Sequence, residues 1–243
     1  MELEGKVALV TGAAKRLGRS LALALAERGA EVAVHYHTSE REAQELLAQL
    51  KRIGGKPIAV RGDLSRAADV ARIVEATMQA FGRIEVLVNS AAIFYRTPFA
   101  TLTEADWDRV LGVNLKGPFL LSRRVGEIML LQGRGKILNL ADIGGMRAWA
   151  EFLPYSVSKA GLIALTQGLA KALAPAVQVN AIAPGTVLLP EETPSEERER
   201  AIRRIPLARL GSPEDVVRAA VYLLESDFVT GEVLTVDGGQ RLL

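Results

Sequence analysis

Residues 6–18 read Lys6-Val7-Ala8-Leu9-Val10-Thr11-Gly12-Ala13-Ala14-Lys15-Arg16-Leu17-Gly18. The apolar run to Thr11 predicts a short buried strand. The glycine-bounded stretch after it predicts a tight turn, and the helical spacing over residues 17–28, stopped by Gly29, predicts the helix that follows. Free amides and the dipole of a helix start make such a turn an anion site. Gly12 permits the turn, and Gly18 lets helix and strand pack closely. A plain strand-to-helix turn would share the pattern, so the rest of the chain has to decide.

The alternation continues outward. Further strands are expected over residues 31–37, 57–61, 84–88, 135–140, 177–182 and 233–236. Helices are expected over 40–53, 69–81, 103–131, 154–174 and 213–224. No linker or internal repeat interrupts the series. The implied architecture is a single-domain, doubly wound α/β Rossmann fold covering residues 1–243, with a seven-stranded, mostly parallel sheet flanked by helices. Ligands of such sheets sit at the carboxyl ends of the strands. Gly12, Asp63, Asn89, Asp142 and Pro184 all follow strands.

The composition fits one ordinary globular domain: 49% hydrophobic and 24% charged, with 30 basic residues against 28 acidic. That balance builds no field for nucleic acid, and no basic stripe is interleaved with aromatics. The absence of cysteine removes disulfides, thiolate catalysis and cysteine-metal sites, and no metal site is expected. No apolar run reaches spanning length and the first strand begins by Lys6, so no membrane association and a cytoplasmic location are expected.

Two stretches carry the candidate chemistry. In Tyr155-Ser156-Val157-Ser158-Lys159 the tyrosine and lysine stand one helical turn apart and can act on one atom. A phenol titrates near ~10, and a neighbouring ammonium is expected to lower that value toward what proton transfer needs. Asp142 precedes Tyr155 at the end of an apolar run. Alone, this spacing is common on helix surfaces. The second stretch is His35-Tyr36-His37-Thr38-Ser39 at the end of the second strand. An NAD site usually carries a carboxylate there for the ribose hydroxyls. Here stand donors and potential cations, with Lys15 and Arg16 nearby, which suits the 2′-phosphate of NADP.

Other positions allow two readings each. Asp63, ahead of Leu64, is an acceptor for an adenine amino group or an N-cap for the next helix. Phe94 is a stacking plate for a flat substrate or simple loop packing. Asn114, a poor residue for a helix interior, holds a local carbonyl or a water near Lys159. Residues 186–206, acidic through Glu191, Glu192, Glu196 and Glu197, form a mobile substrate lid or a solvated surface helix.

Taken together, the turn from Thr11 to Gly18, Asp63, Asn89-Ser90-Ala91-Ala92, Asn114, Tyr155 with Lys159, Pro184-Gly185 and Asp237-Gly238-Gly239 resemble the short-chain dehydrogenase/reductase family. Three positions depart from its usual pattern: Arg16 replaces the middle glycine, Ser90 the second asparagine, and Asp142 the active-site serine. Arg16, the strand end from His35 to Ser39, Phe94 and Asp142 resemble the pteridine reductase branch.

The resemblance implies cofactor contacts from Gly12, Lys15, Arg16, Leu17 and Gly18, from His35, Tyr36, His37, Thr38 and Ser39, and from Asp63 and Leu64. Asn89, Ser90, Ala91, Tyr155, Lys159, Pro184, Gly185 and Thr186 would complete the NADPH site. His37, Thr38 and Ser39 would hold the 2′-phosphate. Arg16, Phe94, Asp142 and Tyr155 would contact substrate, Asp142 and Tyr155 would manage the proton, and Asn114 would support Lys159.

On this resemblance the expected activity is NADPH-dependent reduction of a dihydropteridine or dihydrofolate. An ionised Asp142 only accepts hydrogen bonds and would oppose a developing oxyanion, which favours a ring C=N over a ketone. An Asp142 protonated by burial could instead donate as serine does, and then a 3-oxoacyl thioester reductase is the alternative. A cofactor-sensing protein without turnover is a third reading, opposed by the intact Tyr155, Lys159 and Asn114 set. A homotetramer is implied.

Overall fold

The computed structural model describes residues 1–189 and 192–243. Seven strands form one sheet in the order β3-β2-β1-β4-β5-β6-β7. They are β1 (Val7–Val10), β2 (Glu31–Tyr36), β3 (Ile58–Arg61), β4 (Val86–Asn89), β5 (Gly135–Leu140), β6 (Val177–Pro184) and β7 (Val233–Val236). Every pairing is parallel. Parallel strands need long crossovers, which here are helices packed on both faces.

The alternation of side chains along each central strand builds two cores. Ala8 and Val10 of β1, Val86 and Val88 of β4, and Leu138 and Leu140 of β5 face one side. There they meet α1 (Arg16–Ala26), α2 (Glu40–Arg52) and α8 (Pro213–Glu225) through residues such as Leu21, Leu46 and Val216. Leu9, Leu87 and Ile137 face the other side, against α3 (Ala67–Phe81), α5 (Gly117–Gln132) and α6 (Leu153–Leu173). Burial on both faces explains why these strands read as unbroken apolar runs.

The strand order reverses between β1 and β4, and the turns that leave these two strands meet there. Thr11 Oγ1 accepts from the amides of Ser90 and Ala91, each at 3.0 Å. Any side chain on Gly12 would come within 2.8 Å of the Ala91 Cα, and one on Gly18 within 2.3 Å of the Gly12 carbonyl. Both glycines are therefore demanded by close backbone approach.

The segment expected as one helix over residues 103–131 is divided. Thr103 and Asp106 make a capping box at the start of α4 (Glu104–Leu111). A π-helical turn, Gly112–Lys116, then separates α4 from α5. Asn114 lies in that wider turn, a feature that hydrophobic spacing does not signal. Strand boundaries also move, most at β4, which begins at Val86, and β6, which continues to Pro184.

The N-cap reading of Asp63 does not hold. α3 starts after Arg66, and the Asp63 carboxylate accepts from Ser65 N and Ser65 Oγ at 2.9 and 2.8 Å. Within residues 186–206, α7 (Ser195–Arg203) buries no residue and is a surface helix. Glu191 lies outside the described residues.

Candidate functional site

The carboxyl edge of the sheet brings together the end of β5, the start of α6 and the π turn. β5 delivers Asp142, whose Oδ1 accepts from Gly144 N at 2.7 Å. α6 begins with Pro154 in its first turn, where a missing amide costs nothing. That start places Tyr155 so that its hydroxyl donates to Asp142 Oδ2 at 2.9 Å. One turn on, the buried Lys159 ammonium donates to the Leu140 carbonyl at 2.5 Å and lies 5.6 Å from the centre of the Tyr155 ring.

These three groups shift one another. Burial pushes the Asp142 carboxyl up, while the Gly144 amide and the Lys159 charge pull it back only in part. Burial and the adjacent Asp142 push the Tyr155 phenol well up. The expected lowering by Lys159 does not prevail, because burial and then the bonded Asp142 carboxylate both disfavour the phenolate. Burial lowers Lys159 to about 8, against the upward pull of Asp142. Burial and the bonded carboxylate thus both keep the proton on Tyr155.

Asn114 does not bond Lys159. Its Oδ1 accepts from Ile93 N at 2.8 Å, and its Nδ2 donates to the Ile93 carbonyl at 2.9 Å and to Ser158 Oγ at 3.3 Å. It ties the loop after β4 to α6, which the π turn makes possible by aiming the amide inward.

The first turn fits a dinucleotide phosphate. Residues 12 and 18 have room only for hydrogen. α1 carries no side-chain cap on its first amides and no acidic residue in its first turn. Arg16, where the family pattern has glycine, adopts φ +52°. Its guanidinium donates to the Leu188 carbonyl at 2.8 Å, spanning from this turn to the segment after β6. Lys15 is paired with Glu42 at 2.8 Å, which offsets its charge.

His35 is corrected outright. It is buried, Nδ1 lies 3.2 Å from Gly12 N, and Nε2 lies 3.0 Å from the Gly62 carbonyl. One neutral tautomer, with the proton on Nε2, satisfies both contacts. Burial lowers its pKa to about 4. It joins β1 and β3 and offers no cation to a phosphate. Tyr36 is buried beside it, whereas His37 and Thr38 are exposed and Ser39 half-buried where β2 ends. Leu17 and Leu64 pack into the two cores, Leu64 buried and Leu17 partly so. Asn89 is buried and donates to Asn139 Oδ1 at 2.8 Å and to Ser122 Oγ at 3.2 Å, beneath the cleft.

Four neighbours of the site were not anticipated. Phe94 stacks on Phe152, and Trp149 lies beside Tyr155. Both new aromatics fall between Asp142 and Tyr155, and in a chain that is 5% aromatic this clustering was a usable signal. The Gln240 side chain bonds Thr186 N at 2.9 Å and its hydroxyl at 3.1 Å. Leu188, the carbonyl partner of Arg16, carries no signal, since a backbone acceptor is the same in every residue.

Comparison with known proteins now decides the family. A family model described as Enoyl-(Acyl carrier protein) reductase matches residues 12–241. The chain belongs to the short-chain dehydrogenase/reductase family. Relatives named 3-oxoacyl-(acyl-carrier-protein) reductase in Synechocystis and Thermotoga maritima are each 38% identical to this short-chain dehydrogenase/reductase. The first covers 98% of this chain and 97% of its own, the second 98% and 99%. The (2S)-((R)-hydroxy(phenyl)methyl)succinyl-CoA dehydrogenase subunit of Thauera aromatica is 36% identical, covering 100% and 99%. A crystal structure of a chain described as a candidate short-chain alcohol dehydrogenase from Sinorhizobium meliloti superposes with TM-score 0.94 at 33% identity, over 99% of this chain and 98% of that one.

These names overturn the pteridine reductase expectation and favour its thioester alternative. The physical reason lies in the residues that suggested the branch. Arg16 is engaged by the Leu188 carbonyl, and Asp142 is bonded to Tyr155 and to the Gly144 amide, with burial raising its pKa.

Proposed function

We propose that the chain is an NADPH-dependent 3-oxoacyl thioester reductase of the acyl-carrier-protein type. The observation that carries this reading is the full-length likeness, at 38% identity, to two chains of that name. The site chemistry is compatible with it. Bound NADPH would supply the hydride to the carbonyl carbon. Tyr155 donates its proton to the carbonyl oxygen as negative charge develops there. Asp142 in its acid form donates a hydrogen bond to the same oxygen and can return a proton to the phenolate. The Lys159 ammonium, fixed by the Leu140 carbonyl, stabilises that phenolate.

The NADP preference rests on a β2 end with no carboxylate, where His37, Thr38 and Ser39 would meet a 2′-phosphate. Gly185 and Thr186, held by Gln240, would border the nicotinamide. The family resemblance implies a homotetramer, and an apolar surface lined by Trp107, Leu111, Leu115, Phe119 and Leu165 supports self-association.

The test of the chemistry is Tyr155→Phe assayed with NADPH and an acetoacetyl thioester. A loss of kcat of at least ~10²-fold with nucleotide binding retained is expected, the scale of a general acid. A loss under threefold would remove Tyr155 from the mechanism.

A further inference from the structure

The ring of Tyr155 belongs to a cluster of aromatic side chains that carbonyl reduction does not itself require. Phe94 stacks face to face on Phe152, with centroids 4.5 Å apart and planes 5° from parallel. It also meets Tyr155 edge to face at 4.7 Å and 67°. Trp149 lies nearly parallel to Tyr155, at 10° and 6.2 Å between centroids, and stands edge-on to Phe152 at 6.1 Å. The chain holds only 2 Trp, 4 Tyr and 6 Phe, and four of these, Tyr155 included, form this one ring cluster. Phe94 remains 56% exposed although it borders the reacting group. That exposure leaves part of the ring open to a bound group.

We infer that the acyl group recognised here is flat and π-bearing, so that the preferred substrates are 3-aryl-3-oxoacyl thioesters. This rests on the thioester reductase reading and names the substrate class within it. A carbonyl oxygen anchored on Tyr155 places its substituent among these rings. Conjugation keeps an aryl group coplanar with that carbonyl, so anchoring the oxygen also sets the ring plane. Edge and face contacts then favour an aromatic over an alkyl group of equal area by roughly twofold to tenfold per ring pair. A flexible alkyl chain gains only area and loses rotamer freedom. Phe94, Trp149 and Phe152 are specificity-determining residues in this reading; none of them takes part in the proton transfer.

The experiment compares kcat/KM for 3-oxo-3-phenylpropionyl and acetoacetyl thioesters of N-acetylcysteamine, with NADPH, in the wild-type protein and in Trp149→Leu and Phe94→Leu. The wild-type protein is expected to favour the phenyl substrate at least fivefold, and each variant to lower that ratio at least threefold. A wild-type ratio below fivefold, or a ratio unmoved in both variants, overturns the aryl assignment and leaves the thioester reductase standing. Turnover of neither thioester by the wild-type protein overturns both together. Because the wild-type ratio needs no variant, a variant that fails to fold does not rescue the assignment.

Discussion

At residue 142 a carboxylate stands where the family pattern has a hydroxyl, and its protonation decides what the site can do. Ionised, it accepts from the Tyr155 hydroxyl at 2.9 Å; protonated, it would donate toward a substrate oxygen. Burial raises its pKa, so reduction should weaken as pH rises through that raised value. In Asp142→Ser the fall should move to higher pH, where the Lys159 ammonium, lowered to about 8, is lost. Superimposable pH profiles of kcat/KM would show that Asp142 is not the donor.

His35 makes a different pH prediction. Its folded pKa of about 4 lies below the ordinary 6.5, so between these values the unfolded chain binds a proton that the folded chain does not. Its contribution is present above about pH 6.5 and is lost as pH falls toward 4, on the order of 3 kcal/mol at most. His35→Asn should flatten the fall in thermal midpoint across that window. An unchanged slope would contradict the neutral buried assignment. The sequence placed His35 at the right strand end but could not show which way it points. Its partners, Gly12 and Gly62, come from other segments, whereas His37 lies past the end of β2 and is exposed.

At the scale of elements, the strands and most helices were legible because both faces of the central sheet are buried and glycines punctuate the turns. What was not legible came from contacts between distant segments. The π turn at Gly112–Lys116 leaves the hydrophobic pattern almost unchanged, and only a buried Asn114 bonding Ile93 and Ser158 explains it. Phe152 and Trp149 became site residues through packing against Phe94 and Tyr155, which no local spacing encodes.

The faces of α4, α5 and α6 carry a prediction of their own. Phe119 is 43% exposed on an apolar surface shared by the three helices. Such a patch is the kind that association covers. The 26.1 kDa chain should sediment as a multimer, and Phe119→Glu should shift it to a smaller species. A wild-type monomer at micromolar concentration would remove the proposed assembly.

For the whole molecule, one doubly wound sheet gathers the candidate site of a short-chain dehydrogenase/reductase on a single edge. The position of that edge was readable from strand order and turns, and the reaction class from Tyr155, Lys159 and Asn114. The substrate was not. Arg16 and Asp142 resemble parts of a pterin-handling set as isolated residues, yet in the folded chain they bond Leu188 and Tyr155. Substrate choice depends on such pairings and not on residue identity alone.

The most direct measurement is the initial rate of NADPH oxidation by the purified protein with an acetoacetyl thioester and, separately, with dihydrobiopterin. Turnover of the thioester and none of the pteridine is the expected result, and it would tie the Asp142–Tyr155 pair to carbonyl reduction. Turnover of the pteridine alone would contradict the thioester assignment and mean that Asp142 acts as a carboxylate.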